Sequence, residues 1–127
     1  MSRRRGSRKL ALDVLYEHDV SGAPLSEILE RHRSNPGFEM TREIVDGVES
    51  NIDSIDATIT SLSEQWAIDR MPVVDRNLIR IGVYEILYAS DVPSAVAIDE
   101  AVALAKIYST EDSGRFVNGL LAAVAKD

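Results

Sequence analysis

Residues 72–89, P-V-V-D-R-N-L-I-R-I-G-V-Y-E-I-L-Y-A, constrain this chain more than any other stretch. At about 100° per residue, Leu78, Ile79, Ile81, Val83, Tyr84, Ile86, Leu87 and Tyr88 occupy nearly the whole circumference of a helix, with narrow gaps for Arg80, Gly82 and Glu85. A helix that is apolar all round is a buried one. Arg80 and Glu85 interrupt the run and the rest of the chain is polar, so no membrane span is expected. The stretch predicts the central post of a helical domain. It starts at Pro72, with Asp75 in the first turn facing the positive end of the dipole, and ends near Ala89.

Helical spacing continues on both sides of this post. Ala11, Val14, Leu15 and His18 fall at i, i+3, i+4 and i+7 and give a first helix its buried stripe, from about Arg4. Gly22 suits the residue after that helix and Pro24 the first position of a second, which carries Leu25, Ile28 and Leu29 and ends at Asn35-Pro36-Gly37. A third segment from about Phe38 keeps three- and four-residue spacings through Ile44, Val45, Val48, Ile52, Ile55, Ile59 and Leu62. Gly47 and Glu49-Ser50-Asn51 bend or break it. Trp66 to Met71 read as a short connector. After the post, Asp91-Val92-Pro93 opens a helix with Ile98, Ala101, Val102, Leu104, Ala105 and Tyr108. Asp112 or Ser113 is placed to cap a last helix carrying Phe116, Val117, Leu120, Leu121 and Val124. Asn118-Gly119 would signal a hairpin between alternating strands, but helical spacing surrounds it. The class is all-α, about six to seven helices, read as one domain over 1–127 with residues 1–9 a basic arm leading into the first helix.

A chain of 127 residues buries roughly 65–70% of its unfolded surface and needs no staples. It has no cysteine, which excludes disulfides and thiolate chemistry; no apolar signal-peptide region follows the basic start, so a cytoplasmic protein is expected. The net charge of −7 hides an asymmetry: Arg3, Arg4, Arg5, Arg8 and Lys9 are five of fourteen cations, leaving nine against twenty-one acids in the remainder. A basic arm on an acidic body suits a local polyanion contact, or else a solvated arm without a partner.

Enzyme signatures are missing: no phosphate-binding glycine loop, no H-E-x-x-H and no G-x-S-x-G occurs. His18 falls on an apolar face and reads as a satisfied core histidine. Asp99-Glu100 and Glu111-Asp112 are adjacent pairs that point to different helix faces and read as helix-start charges. No catalysis, metal or cofactor is expected.

Three features remain as binding candidates. Arg5, Lys9 and Tyr16 fall within about 40° of one another on the first helix, with Arg8 and Leu12 beside them, a pattern that suits RNA phosphates and a stacked base. Tyr16 equally fits a half-buried core tyrosine. Glu85, inside the apolar helix, must be paired, turned to a margin of the bundle, or covered by a partner. Asp112-Ser113-Gly114-Arg115-Phe116 with Asn118 forms a helix start whose free N–H groups attract an anion; Phe116 fits the core as well as a stacking platform.

The blocks R-R-x-x-R then A-L-D-V-L-Y, W-A-I-D-R-M-P-V-V-D-R-N-L-I-R-I-G-V-Y-E-I-L, D-V-P-S-A-V-A-I-D-E-A-V-A-L-A-K and D-S-G-R-F-V-N-G-L-L make the chain resemble the NusB family of bacterial transcription antitermination factors. The resemblance implies two packed helical sub-bundles and no enzymatic activity. It implies binding of boxA-type single-stranded RNA in ribosomal RNA leaders with NusE, a small-subunit ribosomal protein, within the RNA polymerase antitermination complex; relatives also form homodimers that mask the site. Carried over by position, it assigns Arg4, Arg5, Arg8, Lys9, Tyr16, Asp112, Arg115, Phe116 and Asn118 to RNA, and Glu85 with Tyr84 and Tyr88 to NusE. Gly6-Ser7 is a flexible pair between the arginines, which leaves open whether Arg3 to Arg5 are helical before RNA binds. Two other readings compete. One is the NusB-like N-terminal domain of a ribosomal RNA cytosine methyltransferase, which a long continuation after Asp127 would favour. The other is a protein-only helical scaffold.

Overall fold

The computed structural model of the chain describes residues 2–64 and 66–126, with side chains from Arg4 onward; the side chain of Arg3, counted with the arm, lies outside the described residues. Seven α-helices follow in order: α1 Ser2–Ser21, α2 Leu25–Glu30, α3 Phe38–Ser50, α4 Ile52–Leu62, α5 Val73–Tyr88, α6 Ser94–Tyr108 and α7 Glu111–Lys126, with a 3₁₀ turn at Ile68–Arg70 before α5. No strand occurs among the described residues, and no helix is long and apolar enough to cross a membrane.

The helix ends follow local chemistry. Gly22 takes φ 77°, and its N–H donates to the His18 carbonyl at 2.9 Å, closing α1 in the left-handed conformation that costs glycine least. His18 is itself satisfied through Nδ1 and the Ala23 carbonyl, 2.7 Å apart. Pro24, Pro72 and Pro93 sit one residue before their helices rather than at the first helical position. Their ψ values near 140° are extended, and the carbonyls of Pro24, Pro72 and Pro93 accept the first intrahelical N–H groups of α2, α5 and α6. The long third segment breaks at Asn51, whose side-chain Nδ2 donates to the Gly47 carbonyl at 2.8 Å, an asparagine competing with the helical backbone. The cap of α7 is Thr110, not Asp112 or Ser113: its Oγ1 accepts the Ser113 N–H at 2.9 Å, which places Glu111 and Asp112 inside the first turn. Because α6 begins at Ser94, Asp99 and Glu100 lie in its second turn and are not helix-start charges.

Two sub-bundles meet on α5: α1, α2 and α3 pack on one side, α4, α6 and α7 on the other, and α5 touches every helix except α2 closely. Leu78, Ile79, Ile81 and Val83 are buried, as a central post requires. The last turn departs from the expectation of all-round burial, with Leu87 and Tyr88 44% and 42% exposed. Gly82 explains how closely α7 approaches: a Cβ there would lie 2.5 Å from Leu121 Cδ1.

Candidate nucleic-acid interface

Arg8 and Glu85 point at each other through the core. Arg8 Nε and Nη2 each donate to a Glu85 carboxylate oxygen at 2.9 Å, and both side chains are 2% exposed. Of the three fates open to Glu85, the structure selects pairing. Neither residue is therefore a surface contact: Arg8 is not available to RNA nor Glu85 to a protein partner, because a buried forked pair cannot release one charge without stranding the other. The pair continues outward. Arg8 Nη1 lies 3.9 Å from Glu100 Oε1 on α6, and Glu100 accepts Arg5 Nε at 2.9 Å and Arg5 Nη2 at 3.0 Å. These two Arg5 bonds hold the Glu100 carboxyl below the ordinary glutamate range, against the opposing effect of burial.

The Gly6-Ser7 pair lies within helix α1. Ser7 Oγ donates to the Gly37 carbonyl at 2.9 Å, and Thr41 Oγ1 donates to the Ser7 carbonyl at 2.9 Å, pinning the start of α1 to the start of α3. This fixes which way each cation points. Arg5 faces α6, and Lys9 is held by Asp13 at 2.8 Å with its Nζ 4.6 Å from the centre of the Tyr108 ring, a cation–π distance. Tyr16 is 43% exposed, so it is half-buried with the rest of its surface open to solvent. Arg4 turns away and lines a cleft of about 280 Å³ with Met40, Glu43, Tyr84 and Asp91.

At the start of α7, Phe116 packs partly on the core and partly on Trp66, ring centres 6.4 Å apart and tilted 46°. The two rings border a cavity of about 370 Å³ with Pro72, Asp75, Thr110 and Asp112. Asp75 stands in the first turn of α5 as expected, but it is buried and accepts Ser113 Oγ–H at 2.7 Å. Arg115 is ion-paired to Asp112, both well exposed, and Asn118 is exposed. The α6–α7 link, residues 109–110, joins this end to Tyr108 and the α1 face.

Trp66, Tyr108 and Glu100 complete the surface and are not among the binding candidates of the sequence. Trp66 had a local signal, a large aromatic in the polar link after α4. Tyr108 and Glu100 had none, since their partners Lys9 and Arg5 lie on α1.

On another side, Tyr84 and Tyr88 stack with centres 6.4 Å apart and planes 20° apart, and the Tyr88 hydroxyl lies 2.8 Å from Ser54 Oγ. Both rings line a groove with Glu43, Asp46 and Asp91. Burial, then the charges of Glu43, Glu85 and Asp91, push the Tyr84 hydroxyl above its ordinary range. Among the described residues no cluster of histidine and carboxylate side chains is built to hold a metal.

Residues 5–126 match the model of the NusB family. The chain belongs to that family. It is 50% identical to the transcription antitermination protein NusB of Thermobifida fusca, covering 94% of this chain and 89% of the relative. Its fold superposes on Thermotoga maritima NusB with a TM-score of 0.89 at 38% identity, covering 98% of this chain and 91% of the other. A crystal structure of the antitermination factors NusB and NusE in complex with dsRNA contains a chain matching at TM-score 0.85 and 32% identity, over 99% and 98% of the two chains. The family is one of transcription antitermination factors, not of enzymes.

Proposed function

We propose that this NusB-family chain, one domain over 1–127, binds boxA-type single-stranded RNA of ribosomal RNA leaders together with NusE, as a cytoplasmic component of the RNA polymerase antitermination complex. The observation that carries the reading is the separation of two surfaces. Arg5, Lys9, Tyr16 and Tyr108 form a basic and aromatic face that runs through the α6–α7 link to Phe116 and Trp66. Cations neutralise phosphates and the rings offer unstacked bases a platform. The groove of Glu43, Asp46, Asp91, Tyr84 and Tyr88 suits a basic protein such as NusE, with complementary charge speeding and orienting docking. Tyr84 and Tyr88 keep their proposed place there; Arg4, on the cleft beside that groove, moves from the RNA side to its margin. The NusB–NusE complex with dsRNA among the structural relatives supports NusE and RNA in general as partners.

Fluorescence anisotropy with a boxA-like strand and a scrambled control, with and without NusE, at two salt concentrations tests the proposal. Selective binding that strengthens with NusE is expected. Equal, weak binding of both strands with no response to NusE would overturn it in favour of a protein-only scaffold.

A further inference from the structure

Arg5, Glu100, Arg8 and Glu85 form an alternating chain of charges from the surface to the core, and its burial increases inward. The Arg8–Glu85 pair is 2% exposed on both sides. Glu100 is 12% exposed, with Arg8 Nη1 at 3.9 Å behind it and the forked contacts of Arg5 at 2.9 and 3.0 Å in front. Arg5 itself is 47% exposed. Lys9, by contrast, is tied to Asp13 one turn along its own helix, a surface pair of the kind that holds a side chain only loosely.

We propose that Glu100 is a positioning residue for RNA recognition: it grips the Nε and Nη2 edge of Arg5 and leaves the other edge of the half-exposed guanidinium for a phosphate, one helical turn from Lys9. The inference rests on the RNA-binding reading above and assigns Glu100 a part in it. A guanidinium already fixed loses less freedom when a phosphate binds. That advantage belongs only to a strand whose phosphate arrives where the guanidinium waits, in the register set by bases on the neighbouring rings. A strand bound without register gains nothing from the fixed geometry and meets an additional negative charge. Glu100 thus raises affinity for the preferred strand while slightly disfavouring others, although it is an acid on a surface that receives a polyanion.

This sign separates positioning from simple repulsion. An acid that merely repels RNA gives, on neutralisation, tighter binding of every strand. A competitor that blocks Arg5 gives the same. A positioning acid gives weaker binding of the preferred strand alone.

The test is Glu100→Gln in the full chain, which keeps shape and removes charge, measured by anisotropy against the boxA-type strand and its scrambled counterpart. The expected result is about three- to tenfold weaker binding of the boxA-type strand, with scrambled binding unchanged or tighter. In an Arg5→Ala background the same change should no longer weaken boxA-type binding. Tighter binding of both strands, unchanged binding of both, or an undiminished loss in the Arg5→Ala background would each overturn the proposal. Should the unaltered protein fail to distinguish the strands, the RNA reading fails separately. The Glu100 assignment is then read from NMR of the Arg5 Nε–H. Slow exchange in the unaltered protein that is lost in Glu100→Gln upholds the positioning; fast exchange in both refutes it. Circular dichroism melting of each variant confirms that the comparison is between folded proteins.

Discussion

Arg8 on α1 and Glu85 on α5 meet through two parallel hydrogen bonds of 2.9 Å, in a site where each side chain is 2% exposed. This contact, between residues 77 apart in sequence, ties the basic start of the chain to its central helix. It also keeps both side chains off the surface, although the family resemblance assigns Arg8 to RNA and Glu85 to NusE.

Breaking that pair should unfold more than it unbinds. Arg8→Ala or Glu85→Ala strands a buried charge, and about 3–5 kcal/mol of stability should be lost. The double change Arg8→Met with Glu85→Leu should recover most of it. Urea denaturation of the single and double variants measures the difference; a loss below about 1 kcal/mol in both singles would contradict the buried geometry.

Gly82→Ala should destabilise by about 1–3 kcal/mol through overpacking, since the new methyl meets Leu121 Cδ1 at 2.5 Å. Combining it with Leu121→Ala should cost less than the sum of the two single changes, because the clash disappears with the leucine. Thermal melts of the four proteins check this; strict additivity would mean that α5 and α7 are not in contact at that point.

Tyr108→Ala and Tyr16→Ala should each weaken RNA binding by about 1–3 kcal/mol if a base stacks there, with the salt slope unchanged. Lys9→Ala should weaken binding and lower the slope of log K against log salt by about 0.7. Salt titrations of RNA binding separate the two classes. A tyrosine variant that lowers the slope, or a lysine variant that does not, would reassign the residue.

Acid should remove part of the tie between α1 and α6. The folded pKa of Glu100 lies below its unfolded value because Arg5 hydrogen-bonds the carboxylate. Over that window the unfolded chain binds more protons than the folded one, so stability falls as pH falls. The contribution is fully present above the ordinary glutamate pKa and is lost as pH drops through the lowered folded value. Denaturation from pH 7 to pH 3 should show Glu100→Gln less stable than the unaltered chain at neutral pH, with the two converging in acid. A constant gap across the range would locate the effect elsewhere.

The sequence by itself determined the elements. The all-round apolar pattern of residues 78–86, the glycine after α1, the prolines before α2, α5 and α6 and the three- and four-residue spacings are local instructions, read by a backbone that must satisfy its own hydrogen bonds and bury one face. They set the helical class, and together with the matched blocks they were enough to indicate the NusB family. The end of α5 escaped this reading: composition makes Leu87 and Tyr88 look buried, and only the placement of neighbouring helices leaves them exposed.

Tertiary structure decided which charges face outward. On one helix, Arg4, Arg5 and Arg8 are indistinguishable as arginines. α3, α6 and α5 gave them an acidic cleft, a forked contact with Glu100 and a buried pair with Glu85. Those partners come from distant parts of the chain, and Coulomb attraction depends on distance and burial, neither of which spacing along one helix supplies. The same holds for Tyr108 over Lys9 and Trp66 against Phe116. The sequence supplied the cations and the aromatic rings; the packing of α1 against α5 and α6 chose which of them face outward.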